Sequence, residues 1–415
     1  MAHRPRTHSL RNDAERSRRR ARRGGAAGSA LVLTQLVACF PSSPDFPPAR
    51  QPRGVRVLAT LSEPASGIPG GTLQLSLEAF DGAPLMAQAQ AAAGLAPEGE
   101  GLSTAEPEAL SIAWLGGCHN PPGDTQAGCY PLLAEVASAL PDPLPSSNDA
   151  IPSELSQYLG VGNGFSVNVP SDILEGRQLM TDAPPFGVSF TFFAVCRGVL
   201  RPAPEVTNGV PLRCHDRETD EPLGSEAWVP GYITTYTYPG DVNQSPVLLG
   251  ASIDGAELPE LLCESDADCA DLSVGSLPTA CARPVATTFE LAAEPLTEPT
   301  PQRCLPLVTS CTTPPCASHE LSAALAPSSV EKDPAATPPG GVAPDEILWV
   351  KYFGYGGFSR AEALVNDRET GLNPDYALRW TPPSVAIESP LPVWAIVQDN
   401  RGGAAVARWD FVVRP

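Results

Sequence analysis

Lysine is nearly absent from this 415-residue chain, with Lys332 and Lys351 its two examples, and histidine is present only five times. Lysine scarcity beside plentiful arginine reflects a compositional bias rather than chemistry. Three histidines follow residue 38, which leaves little material for a Ser/His or Cys/His dyad. The sequence also lacks the G-x-S-x-G elbow, the H-E-x-x-H zinc motif and the P-loop. Two glycine clusters, Gly160-Val161-Gly162-Asn163-Gly164 and Gly354-Tyr355-Gly356-Gly357, do not join a buried strand to a helix start. They are expected to be turns rather than phosphate cradles. Carboxylates are plentiful, but no pair stands out as a glycosidase-type acid and base. The sequence therefore points to a protein that is not an enzyme.

The charge is uneven. Residues 1–38 carry nine arginines against Asp13 and Glu15, a net of +7; with a whole-chain charge of −20, the remainder carries −27. An acidic body with no basic stripe beyond its first 25 residues repels nucleic acid, so no nucleic-acid partner is expected. The basic start is followed by an apolar run, Ala26–Ala38, of 13 residues. That length suits a signal-peptide core and is too short to span a bilayer as a helix.

Leu36-Val37-Ala38-Cys39 closes the run and resembles the lipobox of bacterial lipoproteins. Small residues let a peptidase approach the scissile bond, and the thiol of Cys39 is the group that takes the lipid. More than one acyl chain, at about 0.8 kcal/mol per buried CH₂, holds such a protein on a membrane. The resemblance implies a signal peptide over 1–38 and a lipidated, Pro-rich tether over 39–51. Phe40, where an Asp would signal inner-membrane retention, favours the outer membrane of the cell envelope.

Beyond the tether the dominant period is two. Val55, Val57, Ala59 and Leu61 alternate with more polar neighbours, as do Leu73, Leu75, Leu77 and Ala79. Further strands are expected at Ile112–Trp114, Phe165–Val169, Val188–Cys196, Tyr232–Tyr238, Val247–Ile253, Ile347–Tyr352, Tyr376–Trp380 and Val393–Val397. The one expected helix is Pro131–Leu140. Asp399-Asn400-Arg401-Gly402-Gly403 is expected to turn the chain into a last strand, Ala404–Val413, the two forming an edge pair of a sandwich sheet. Short strands at this spacing predict an all-β fold of β-sandwich type.

The stretches V-R-V-L-A-T-L-S-E-P, P-G-G-T-L-Q-L-S-L-E-A-F-D-G and I-A-W-L-G-G-C resemble the opening strands of bacterial immunoglobulin-like or PKD-like modules. V-W-A-I-V-Q-D-N-R-G-G is similar to their closing hairpin. The resemblance covers most of residues 52–415 loosely. It implies two Ig-like sandwich domains, 52–241 and 242–415, in an extracytoplasmic lipoprotein, and it implies no reaction.

Ten cysteines remain once Cys39 is set aside, an even number that permits up to five disulfides in an exported chain. Proximity pairs Cys118 with Cys129 and Cys196 with Cys214. Cys263, Cys269, Cys281, Cys304, Cys311 and Cys316 crowd one stretch, 263–316, read as a disulfide-stapled insertion whose pairing stays open. The competing chemistry is a metal site, because Cys118-His119, Cys214-His215 and Cys316-x-x-His319 put cysteine beside histidine; spacing of zinc type is absent. The acidic residues Glu264, Asp266, Asp268 and Asp271 form a second metal candidate, for calcium, without the Gly and distal Glu of an EF-hand. Neither displaces the expectation of no metal and no cofactor. Tyr352, Phe353, Tyr355 and Phe358 form either core contacts or a sugar- or protein-binding patch.

The function expected from these features is a membrane-anchored, non-enzymatic envelope lipoprotein for surface display, adhesion or assembly. Its partners would be the membrane, through Cys39, and an envelope protein or glycan. The alternatives are an extracytoplasmic carboxylate-dependent hydrolase acting on glycans and a calcium-stabilised binding module.

Overall fold

The computed structural model describes residues 54–83, 110–177, 185–240, 243–258, 261–285, 301–313, 315–333, 337, 341–367, 371–373, 375–385 and 387–415. The leader, Cys39 and the tether lie outside them. The described residues are dominated by strands in several sheets with few helices, so the protein is all-β and sandwich-like, with multiple disulfides.

The first half holds β1 (Val55–Glu63), β2 (Thr72–Asp81), β3 (Ser111–His119), α1 (Tyr130–Ala139), β4 (Leu159–Val161) and β5 (Gly164–Asn168). It continues with β6 (Gly187–Cys196), β7 (Val199–Pro202), β8 (Leu212–His215) and β9 (Trp228–Thr237). A sheet of order β1-β2-β5 faces one of order β4-β3-β6-β9. Alternation explains the layering. Leu73, Leu75 and Leu77 of β2 meet Trp114, Phe193 and Val195 between the sheets. Phe190, Phe192 and Ala194 point the other way, onto α1 and the β7–β8 ribbon. β6 is buried at all ten positions because both of its faces are covered.

The second half opens with β10 (Leu248–Ile253), β11 (Ala256–Glu257), α2 (Asp266–Cys269), β12 (Ser273–Val274), β13 (Leu277–Ala282), β14 (Arg303–Thr309) and β15 (His319–Leu325). It ends with β16 (Leu348–Gly354), β17 (Gly357–Phe358), β18 (Glu362–Leu364), β19 (Asn366–Asp367), β20 (Gly371–Leu372), β21 (Leu378–Thr381), β22 (Ser389–Asp399) and β23 (Ala404–Arg414). A five-stranded sheet, β11-β10-β15-β21-β17, packs on a seven-stranded one, β12-β13-β14-β23-β22-β16-β18. Trp380 stacks on Phe411 at 4.4 Å between centroids, and the Trp409 indole donates to the Ser252 carbonyl at 3.0 Å.

The β22–β23 hairpin corrects one expectation. It is not an edge pair: β23 is flanked by β14 in parallel, and β22 by β16. β22 is buried at consecutive positions from Leu391 to Val397. Val393 and Ala395 serve the core against the five-stranded sheet, while Trp394 turns to the opposite face and meets Phe80 of β2 at 4.9 Å. Leu58, Ala59 and Phe80 thus belong to the same core cluster as the second half. The expected division near residue 242 falls within a single compact unit spanning 48–415. The Cys-rich stretch is likewise continuous with the seven-stranded sheet through β12, β13 and β14.

Candidate functional site

The ten cysteines form five disulfides: Cys118–Cys129, Cys196–Cys214, Cys263–Cys281, Cys269–Cys304 and Cys311–Cys316. Cys281 and Cys304 sit opposite each other on the antiparallel β13–β14 pair, yet each bonds to a cysteine elsewhere, so the two bridges tie the α2 segment to the sheet edge. The sulfurs of Cys263, Cys269 and Cys281 lie close together, but oxidised sulfur does not ligate a metal. The adjacent histidines are also engaged. His119 Nδ1 meets Ser189 Oγ at 2.8 Å, and burial lowers the His119 pKa. His215 Nδ1 pairs with the Asp220 carbonyl at 2.9 Å. His319 Nδ1 meets Asp254 Oδ2 at 2.9 Å, while Asp254 Oδ1 accepts the Glu320 N–H at 2.8 Å. That pair fixes the β10–β11 turn to β15. Sequence reading did not associate Asp254, 65 residues away, with His319.

The acidic stretch resolves into helix-capping machinery. Asp268 Oδ2 accepts the backbone N–H groups of Glu264 and Ser265 at 2.9 and 2.8 Å, completing a capping box with Ser265 at the start of α2. Those two N–H groups hold the Asp268 carboxyl below its ordinary pKa. Asp266 Oδ1 accepts the Cys281 N–H at 2.9 Å. Glu264 and Asp271 are exposed. One oxygen of each carboxylate, Asp266 Oδ1 and Asp268 Oδ2, is thus turned to the chain's own donors.

The four aromatics proposed as a patch are packed: Tyr352 and Tyr355 are buried, and Phe353 and Phe358 lie against the same core. The Tyr352 hydroxyl donates to the Tyr376 carbonyl. Both glycine clusters are turns, the first joining β4 to β5 and the second β16 to β17.

A buried polar constellation lies where the β22–β23 turn meets the first half, a place the sequence marks only as a turn. Asp399 ends β22, and its Oδ1 accepts the N–H groups of Arg401 and Gly403 at 2.8 and 2.7 Å. Gly402 has φ +105°, and a Cβ at residue 403 would stand 2.2 Å from Asp399 Oδ2, so both glycines are required. Asn243 and Glu346 are fully buried; Asp333, Asp399 and Arg401 are nearly so. Burial raises the Asp399 pKa against the lowering pull of its hydrogen bonds. Burial and the neighbouring Asp399 push Glu346 up to about 7.

Beside this cluster is a cleft of about 190 Å³ lined by Thr60, Tyr232, Thr234, Gln398, Asp399 and Gly403 among others. Asp399 is its one carboxylate, and the oxygens of Asp399 are taken by Asn243 and the turn amides. A facing carboxylate pair of glycosidase type is not presented there.

No family model and no curated protein matches the chain. Among solved structures, trypsin-activated alpha-2-macroglobulin from Escherichia coli is similar at 11% identity and a TM-score of 0.19, over 88% of this chain and 17% of that one. Salmonella alpha-2-macroglobulin reacted with methylamine matches at 10% identity and 0.19, over 87% and 17%. The chain thus spans about a sixth of the length of these proteins.

Proposed function

We propose that this chain is an exported bacterial lipoprotein, cut before Cys39 and anchored by lipid on that cysteine, in which Ig-like sandwiches act as a non-enzymatic display, adhesion or assembly module. The observation that carries the reading is the cysteine chemistry. All ten cysteines beyond Cys39 are paired, and disulfides of this density belong to an oxidising compartment outside the cytoplasm. The basic segment, the 13-residue apolar core and L-V-A-C supply a route there. Envelope partners reach a body of this kind through exposed loops and strand faces.

Fractionation of cells producing the full chain tests this reading. The wild type is expected in detergent-extractable envelope membranes, and Cys39→Ala in a soluble extracytoplasmic fraction. Recovery of the wild type in the soluble cytoplasmic fraction, with reduced cysteines, overturns it.

A further inference from the structure

Four stretches far apart in sequence grip the turn 399–403 or one another. Asn243 donates from Nδ2 to Asp399 Oδ2 at 2.9 Å and from its backbone N–H to Ser66 Oγ at 2.7 Å. Ser245 Oγ donates to the Ser62 carbonyl at 3.3 Å. Asn400 accepts the Ile347 N–H at 2.7 Å and donates to Asp333 Oδ2 at 3.0 Å. Arg401 Nη1 donates to the Lys332 carbonyl at 3.1 Å. The hairpin turn is thereby seamed to 62–66, 243–245, 331–333 and 346–347.

The charges in this seam do not balance. Glu331, Asp333, Glu346 and Asp399 contribute carboxyl groups, and Arg401 is the cation among them; the Lys332 ammonium is turned to Asp345. Tyr238 stands near Arg401 and Asp333. Glu346 is the group least provided for. Its Oε1 accepts the Glu331 N–H at 3.2 Å, while its Oε2 has no hydrogen-bond partner. Arg401 Nη1 is 3.9 Å from Glu346 Oε2 and 3.6 Å from Glu331 Oε2, so one guanidinium nitrogen is shared by two carboxyl groups. A charge on a fully buried carboxyl facing Asp399 and Glu331 is costly, and a proton removes that cost.

We infer that this seam is a proton-operated latch: with Glu346 neutral the 399–403 turn stays clamped to its neighbouring segments, and when Glu346 ionises the turn is released. The inference does not rest on the lipid anchor. Glu346 in the closed seam keeps its proton up to about pH 7, whereas in an opened seam it returns towards its ordinary value of 4.5. The closed form therefore binds more protons between those values, and its advantage is lost as pH rises through 7. Between pH 6 and pH 8 the opening equilibrium rises roughly tenfold.

Hydrogen exchange of the full chain, corrected for intrinsic rates, reads this directly at the Arg401 and Gly403 amides, both bonded to Asp399. The expected result is roughly tenfold more opening at pH 8 than at pH 6, with the amides of β6 unchanged, and a flat profile in Glu346→Gln. Equal opening at both pH values, or the same rise in Glu346→Gln, overturns the latch. Should that variant fail to fold, infrared spectroscopy of wild type labelled with ¹³C-glutamate decides. A protonated-carboxyl band that shifts with the label and disappears with a midpoint near pH 7 supports the latch; its absence at pH 6 overturns it.

Discussion

Asn243 Nδ2 lies 2.9 Å from Asp399 Oδ2, a hydrogen bond spanning 156 residues of sequence. It ties the segment after the first sandwich to the turn of the central hairpin of the second. Asn243→Ala removes the donor and leaves a buried carboxylate oxygen short of a partner. The expected loss is about 1–3 kcal/mol in denaturant unfolding. The opposite outcome, an unchanged midpoint and slope, means that the seam does not contribute to stability.

The disulfides differ in the loops they close. Cys269–Cys304 spans 35 residues and Cys311–Cys316 spans 5. On chain-entropy grounds, replacing the first pair by alanines costs about 4 kcal/mol and the second about 2 kcal/mol. Thermal unfolding of the two double variants checks the order, and a larger loss for the Cys311/Cys316 variant contradicts it.

Two buried tryptophans differ in how their indoles are served. Trp380 Nε1 donates to the Tyr355 carbonyl at 2.7 Å, whereas Trp394 Nε1 has no hydrogen-bond partner. Trp380→Phe loses volume and also orphans an acceptor; Trp394→Phe loses volume but relieves an unsatisfied donor. The first is expected to cost more, by about 1 kcal/mol. Equal losses in urea titrations would contradict the assignment.

Asp266 Oδ1 and Asp268 Oδ2 accept backbone N–H groups, so one oxygen of each carboxylate is committed within the chain. The melting temperature is expected to be the same in calcium and in chelator. A rise on adding calcium revives the calcium-stabilised binding module.

Much of this architecture was legible in the sequence because one-sided burial imposes a period of two. Val55–Leu61 and Leu73–Ala79 alternate and lie in β1 and β2; Val188–Cys196 lies in β6, and the helix expected at Pro131–Leu140 is α1 within one residue. The alternation fails where both faces are covered. β22 is apolar without a clean period, which hid its central place, flanked by β16 and β23. Cys304 and Pro306 interrupt the pattern of β14, and in β15 the alternation of Leu321, Ala323 and Leu325 is too short to stand out between polar neighbours. The seam was illegible for another reason. Asn243, Glu346 and Asp399 come from three distant stretches, and neither composition nor spacing shows which polar residues meet in the interior. D-N-R-G-G announced the turn, and only the fold shows what Asp399 and Arg401 hold.

The intact mass of the protein taken from native membranes, beside a Cys39→Ala version, tests the lipid anchor most directly. The expected result is a chain beginning at Cys39 with a lipid-sized increment that the variant lacks. An unmodified mass with residues 1–38 still attached contradicts the anchor and the export route together.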